Sequence, residues 1–274
     1  MTLEPALQAK LDRLEIGLQQ LGSVLVAFSG GADSALLLAA AARSLGPSRV
    51  TAATAVSPSL PQTELADARD FAAFLNVAHH APRTAELQRI GYVDNGRDRC
   101  FHCKAELLSV LGPLAEKLQL KHVATGTNAD DLADRFRPGI QAARVAGAVT
   151  PLADAGLSKA EVRAISREWN LPTADKPAAA CLSSRVAYGI QITRHTLERI
   201  ERAEHGLRRV MLDAGLNVKN LRVRDLGGHA KVEVDSHLVE ALTARSDLLA
   251  AVADYDTVEV DPRGFRSGSM NEVP

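Results

Sequence analysis

Val24-Leu25-Val26-Ala27-Phe28-Ser29-Gly30-Gly31-Ala32-Asp33-Ser34-Ala35-Leu36-Leu37-Leu38 decides how this chain is read. Its opening apolar run shows no alternation, as expected of a strand buried on both faces of a parallel sheet, and an Ala/Leu-rich helical stretch follows the glycines. Glycines between a strand and a helix allow positive φ and close backbone approach, and the helix start offers unpaired N–H groups to an anion. Such a turn binds phosphate. The G-x-x-x-x-G-K-[ST] and G-x-G-x-x-G spacings are both missing, so it is neither of the two commonest nucleotide loops. By itself it also fits a tight turn in which Ser and Asp cap a helix.

The pattern repeats outward from this unit. Val50 to Val56 is a second buried strand, Thr63 caps a helix reaching about Leu75, and a short strand lies near Val77. Ala105 to Leu118 is helical and follows a CxxC, and His122 to Thr125 is the next strand. Ser158 and Glu161 form a capping box for a helix that ends near Asn170, before Leu171-Pro172. This alternation predicts an α/β fold with a doubly wound, mainly parallel sheet. After about Arg185 the texture changes. A helix from Thr193 to about Asp213 precedes a hairpin of Leu221 to Asp225 and Lys231 to Asp235 around Gly227-Gly228, a helix over residues 237 to 253 and a strand at Thr257 to Asp261. These imply a smaller C-terminal α+β domain, with the division at 1–185 and 186–274. Gly264 to Pro274 lacks a core pattern and reads as a surface tail or an interface arm.

The 274 residues suffice for a nucleotide-binding domain and a smaller partner. With 32 Lys+Arg against 33 Asp+Glu there is no global basic field for nucleic acid. The first residues form an amphipathic pattern (Leu3, Leu7, Leu11, Leu14, Leu18) without a signal-peptide texture, and no run reaches the roughly 18 apolar residues of a membrane span, so a cytoplasmic location off the membrane is expected. Three cysteines, Cys100, Cys103 and Cys181, argue against a disulfide framework and for metal or thiol chemistry. A lone CxxC is a weak zinc signal, for which His102, His79 or His80 would have to complete the ligands. Gly126-Thr127-Asn128 falls just past a strand, on the edge where open α/β sheets bind ligands. Asp130 and Asp131 follow, either as a Mg²⁺ site or as a solvated acidic helix start. Arg222 and Arg224, two apart on one strand, share a face, and guanidinium forks suit carboxylate and phosphate.

Ser29-Gly30-Gly31-Ala32-Asp33-Ser34 resembles the S-G-G-x-D-S signature of the PP-loop ATP pyrophosphatases. The resemblance implies that Ser29, Gly30, Gly31 and Ser34 bind the β and γ phosphates of ATP, that Asp33 places Mg²⁺ with help from Asp131, and that residues around Val56 and Gly126 meet the nucleotide. Three further stretches narrow it: Asp98-Arg99-Cys100-Phe101-His102-Cys103-Lys104, Gly126 to Asp131 ahead of Arg137-Pro138-Gly139, and Lys176 to Arg185 around Cys181. With Arg222-Val223-Arg224 and the tail Gly264 to Glu272, these are similar to the LarE sulfur transferases over nearly the whole chain.

That resemblance implies a specific reaction. LarE proteins adenylate the carboxylates of pyridinium-3,5-biscarboxylic acid mononucleotide with ATP and replace oxygen by sulfur, for the nickel-pincer nucleotide cofactor of lactate racemase. Cys181 would be catalytic, either giving up its own sulfur or joining Cys100 and Cys103 around a [4Fe-4S] cluster that carries an extra sulfide. The presence of all three cysteines points to the cluster branch. Arg185, Arg222 and Arg224 would bind the substrate's phosphate and carboxylates, a separate sulfur or sulfide donor would be needed, and a homohexamer is implied. The competing readings are another PP-loop enzyme, such as a tRNA thiolase, and a nucleotide or Fe–S sensor that leaves ATP intact.

Overall fold

The structure is a computed structural model that describes residues 3–134, 137–177, 180–266 and 269–271. The chain forms two compact units, Met1–Glu86 with Asp98–Ala179, and Leu87–Arg97 with Ala180–Pro274.

In the first unit, helix α1 (Pro5–Leu21) precedes strand β1 (Val24–Ala27), helix α2 (Ala32–Leu45), strand β2 (Val50–Ala53), helix α3 (Gln62–Phe74) and strand β3 (Ala78–His80). Helix α4 (Arg99–Lys117), strand β4 (His122–Thr125) and helices α5 (Ala129–Ala133), α6 (Pro138–Val145) and α7 (Lys159–Glu168) complete it. The strands pair in parallel in the order β3-β2-β1-β4, with Val24 opposite both Val50 and His122. This is an α/β unit with an all-parallel sheet.

Because side chains alternate across a strand, β1 feeds two cores. Val24 and Val26 pack with α1, α2, α3 and α7, whereas Leu25 and Ala27 pack with Leu111 and Ala115 of α4. Residues 35 to 42 of α2 are all buried, as expected of a helix that is apolar all round. Strand order reverses between β1 and β4, and the crevice past their carboxyl ends is where such sheets take ligands.

Strand β2 ends at Ala53 and not at Val56, and two helix starts also differ from expectation. Helix α3 starts after Pro61, whose fixed φ suits a helix start, and not at Thr63. Helix α4 begins at Arg99, so Cys100 and Cys103 lie in its first turns and not ahead of it. The capping box is as expected: Ser158 Oγ accepts from Glu161 N at 3.3 Å, and Glu161 Oε2 accepts from Ser158 N at 2.8 Å.

In the second unit, helix α8 (Arg194–Asp213) packs Ala203, Leu207 and Met211 against a sheet ordered β5 (Leu221–Asp225), β6 (His229–Val234) and β7 (Thr257–Val260). β5 and β6 are antiparallel, joined through Gly227 and Gly228 at φ +85° and +104°, and β7 runs parallel to β6. The single helix expected over residues 237 to 253 is a correction: short helical pieces occupy 239–243 and 246–249, flanked by single turns. Arg245 breaks the run at ψ 69° and folds its guanidinium onto Asp247, and Ser246 and Asp247 are residue types that favour starting a new helix. In the expected tail from Gly264, Phe265 N donates to Val234 O at 2.7 Å on the unit's own sheet, and residues 267–268 and 272–274 lie outside the described residues. Among the described residues no helix is long and apolar enough to cross a membrane.

Candidate functional site

The glycine turn stands at the carboxyl end of β1. Gly30 takes φ +74°, which side chains disfavour, and Gly31 is the N-cap of α2. Asp33 and Ser34 therefore sit in the helix's first turn, beside its unpaired amides. The loop is tied internally: Ser34 Oγ donates to Gly31 O at 3.1 Å and lies 3.1 Å from Ser29 Oγ, and Ser29 Oγ accepts from Gly31 N at 3.4 Å.

Gly126, past the end of β4, is the buttress of this turn. A Cβ there would lie 2.8 Å from Ser34 N and 2.9 Å from Ser34 Cα, closer than side chains tolerate, so the position demands glycine for approach. Next to it, Asn128 caps α5 through its side-chain oxygen and donates its amide to Asp33 Oδ1 at 3.1 Å. Burial pushes the Asp33 carboxyl above its ordinary range. The Asn128 bond, Lys159 and Arg163 pull it back, and nearby Asp131 adds to the rise. Asp131 closes the α5 capping box at Asn128 N and pairs with Arg137 at 2.8 Å, so both its oxygens are engaged. Its neighbour Asp130 accepts from Lys159 N at 2.8 Å. Of Asp33 and Asp131, Asp33 is the one that keeps an oxygen uncommitted among the described residues. One carboxylate with substrate phosphates is a donor set that fits Mg²⁺.

Val56 lies on the same edge, but its N–H donates to Pro82 O at 2.8 Å and its carbonyl accepts from Thr84 N at 3.2 Å. Thr54 donates to Phe28 O and meets His79 Nε2, both at 2.8 Å, which braces the ends of three strands against one another.

Three cations that the sequence reading did not assign surround the loop. Lys159 and Arg163 of α7 act on Asp33, and Lys176 Nζ would come within 3.8 Å of a Cβ on Gly30. Nothing local in the sequence marks them, although the Ser158 capping box and the Leu171-Pro172 stop place α7 itself.

In the second unit Arg185 and Arg222 lie near Glu204, and Arg224 pairs with Glu233. Arg185, almost fully buried, makes a two-point pair with Glu204 at 2.9 and 3.2 Å and donates Nη1 to Ala180 O, to Cys181 O at 2.8 Å and to Ser184 Oγ. Its donors brace the turn carrying Cys181. Arg222, stacked 5.4 Å over the Phe265 ring, has its pKa pushed down to about 10 by burial and then by Arg185, with Arg224 and Arg208 adding to the effect and Glu204 opposing it. A crowded, desolvated guanidinium gains from an incoming anion. Arg224 forms a buried pair with Glu233 at 2.7 Å, and among the described residues its buried Nε has no hydrogen-bond partner. With Lys231, Arg263, Arg266 and Ser269 these two line a cavity of about 110 Å³.

None of the three cysteines is in a disulfide among the described residues, Cys100 being exposed and the others half-buried. Cys100 and Cys103 belong to the first unit and Cys181 to the second. Cys181 precedes the short turn Leu182–Arg185, whose buried Ser183 is hydrogen-bonded to Tyr92. Among the described residues no three His, Cys, Asp or Glu side chains gather as a metal-binding group.

No protein-family model matches the chain. An uncharacterized protein of Synechocystis is 40% identical over 272 residues, covering 97% of this chain and 98% of that one. The pyridinium-3,5-bisthiocarboxylic acid mononucleotide synthase of Lactiplantibacillus plantarum is 30% identical over 270 residues, 97% and 95% of the two chains. An uncharacterized protein of Methanocaldococcus jannaschii is 26% identical over 235 residues, 85% of each chain.

Proposed function

The chain belongs to the family of the pyridinium-3,5-bisthiocarboxylic acid mononucleotide synthase, and from that premise we propose that it is an ATP-dependent sulfur transferase of the PP-loop type. It adenylates the carboxylates of pyridinium-3,5-biscarboxylic acid mononucleotide, releases pyrophosphate, and replaces oxygen by sulfur. The observation that carries this reading is the glycine turn of Ser29 to Ser34 at the start of α2, with Asp33 held by Asn128 beside it.

The roles follow from the chemistry of each group. Amides of the turn and of the first turn of α2 receive the β and γ phosphates. Asp33 would hold Mg²⁺, which supplies positive charge to the departing pyrophosphate. A substrate carboxylate oxygen bonds to the α phosphorus as the bond to the β-phosphate oxygen breaks. Sulfur then attacks the adenylated carbonyl carbon and AMP leaves. Arg222 and Arg224 receive the nucleotide's anionic groups, and Arg185 holds the Cys181 turn in shape.

The finer reading of the sulfur source is a [4Fe-4S] cluster on Cys100, Cys103 and Cys181. The first two are three apart in the first turns of α4 and so share a face. The alternative is donation from Cys181 itself: its thiolate displaces AMP to form a thioester, and loss of the Cα proton then breaks the Cβ–S bond to give the thiocarboxylate and dehydroalanine. A homo-oligomer, a hexamer by family resemblance, is the assembly proposed, and light scattering reads it directly.

The test is product analysis on anaerobically purified protein. AMP and pyrophosphate formed only with the dicarboxylate nucleotide support the reading, and ADP as product overturns it. Iron and sulfide content, together with the protein mass after one turnover, separate the donors: an intact mass with iron present indicates the cluster, and loss of the mass of H₂S indicates Cys181.

A further inference from the structure

Lys176 reaches from the segment after α7 to helix α3. Its Nζ lies 2.7 Å from Glu64 Oε2 and 3.0 Å from Asp67 Oδ2, carboxylates three residues apart and so on one side of α3. The bridge rests on the glycine turn: a Cβ on Gly30 would lie 3.6 Å from Glu64 Oε2 and 3.8 Å from Lys176 Nζ. The backbone under Lys176 is fixed, because Arg163 donates to Ala174 O at 2.6 Å and to Lys176 O at 2.9 Å. The side chain is the part left to move.

Water still reaches the pair, at 19% exposure for Lys176 and 21% for Glu64. With water at hand, the ammonium can leave the two carboxylates without first being stripped of all solvent. A triphosphate arriving at Gly30 brings more negative charge than either carboxylate, and Glu64 repels it unless the ammonium lies between them.

We propose that Lys176 is a phosphate-binding residue held in reserve. When ATP enters, it exchanges Glu64 and Asp67 for the β and γ phosphates, and Glu64 is the competitor it leaves. This rests on the phosphate-loop reading above. The two carboxylates hold the Lys176 pKa up against the effect of burial, so the ammonium is charged when nucleotide arrives.

The experiment is calorimetric titration of the full chain with ATP, AMP and inorganic pyrophosphate at constant Mg²⁺, using wild type, Lys176→Met and Glu64→Gln, with thermal unfolding of each. Lys176→Met is expected to weaken ATP and pyrophosphate binding roughly ten- to hundredfold, the loss of one charge-assisted hydrogen bond, and to leave AMP binding unaltered. Glu64→Gln is expected to bind ATP as tightly as wild type or more tightly. Wild-type ATP affinity in Lys176→Met overturns the inference. So does an equal loss in Glu64→Gln, the mark of a bridge that only holds α3 in place. A wild-type chain that binds neither ATP nor pyrophosphate overturns the phosphate-loop reading itself, and the inference with it.

Discussion

Asn128 donates its side-chain amide to Asp33 Oδ1 at 3.1 Å, and so ties the loop after β4 to the first turn of α2. The contact crosses the point where strand order reverses. One residue thereby serves two functions, because the oxygen of the same amide caps α5.

Asn128→Asp separates those functions. Aspartate caps as well as asparagine, but it offers no donor and places a second carboxylate beside Asp33. Thermal stability should change little, while the Mg²⁺ concentration needed for pyrophosphate release should rise about tenfold or more, as when the partner orienting a metal ligand is lost. A Mg²⁺ titration that matches wild type would remove Asp33 from the metal site.

Gly126→Ala puts a methyl group against the Ser34 amide, where 2.8 Å is available. Both neighbours are backbone and cannot swing aside, so overpacking should cost roughly 1–3 kcal/mol in thermal or denaturant unfolding. ATP affinity should fall further than stability alone explains, because Ser34 is pushed off its loop contacts.

Arg222 and Arg224 should separate in mutagenesis. Arg222→Ala should weaken the dicarboxylate nucleotide about ten- to hundredfold in equilibrium binding and leave ATP affinity intact. Arg224→Ala strands Glu233, whose side chain is 2% exposed, and breaking such a buried pair costs roughly 3–5 kcal/mol. A lowered Tm is therefore expected for Arg224→Ala and not for Arg222→Ala.

His79 gives a pH signature. Burial, then Arg69 and His80, hold its pKa below the ordinary histidine range. The unfolded chain takes up that proton near pH 6.5 while the native protein does not. Stability is thus present at neutral pH and falls as pH drops below about 6.5. His79→Gln should flatten that limb of the curve in denaturant titrations at several pH values.

The first strand, the glycine turn and the α7 capping box were legible because each is a contiguous signal: an apolar run, a hexapeptide, a four-residue spacing. The arginines of β5 were legible as a pair on one face for the same reason. What stayed hidden depends on side chains meeting across the fold. Nothing local marks Lys176 as lying over Gly30, or Arg185 as serving Cys181 through Ala180 O and Cys181 O. The break at Arg245 was missed because the apolar spacing over residues 237 to 253 suits one helix and the competing Arg245–Asp247 contact is a side-chain event.

The pairing of Val24 with both Val50 and His122 has a consequence for the newborn chain. β1 and its turn leave the ribosome before β4 and can pair with β2 through one short crossover. The β1–β4 pairing closes a much longer loop, so its formation is delayed by the entropy of that closure. Gly126 and Asn128, which seat Ser34 and Asp33, arrive only with β4. A partly synthesised chain therefore carries the glycine turn without its supports, and the site proposed above for nucleotide is not assembled until β4 has paired.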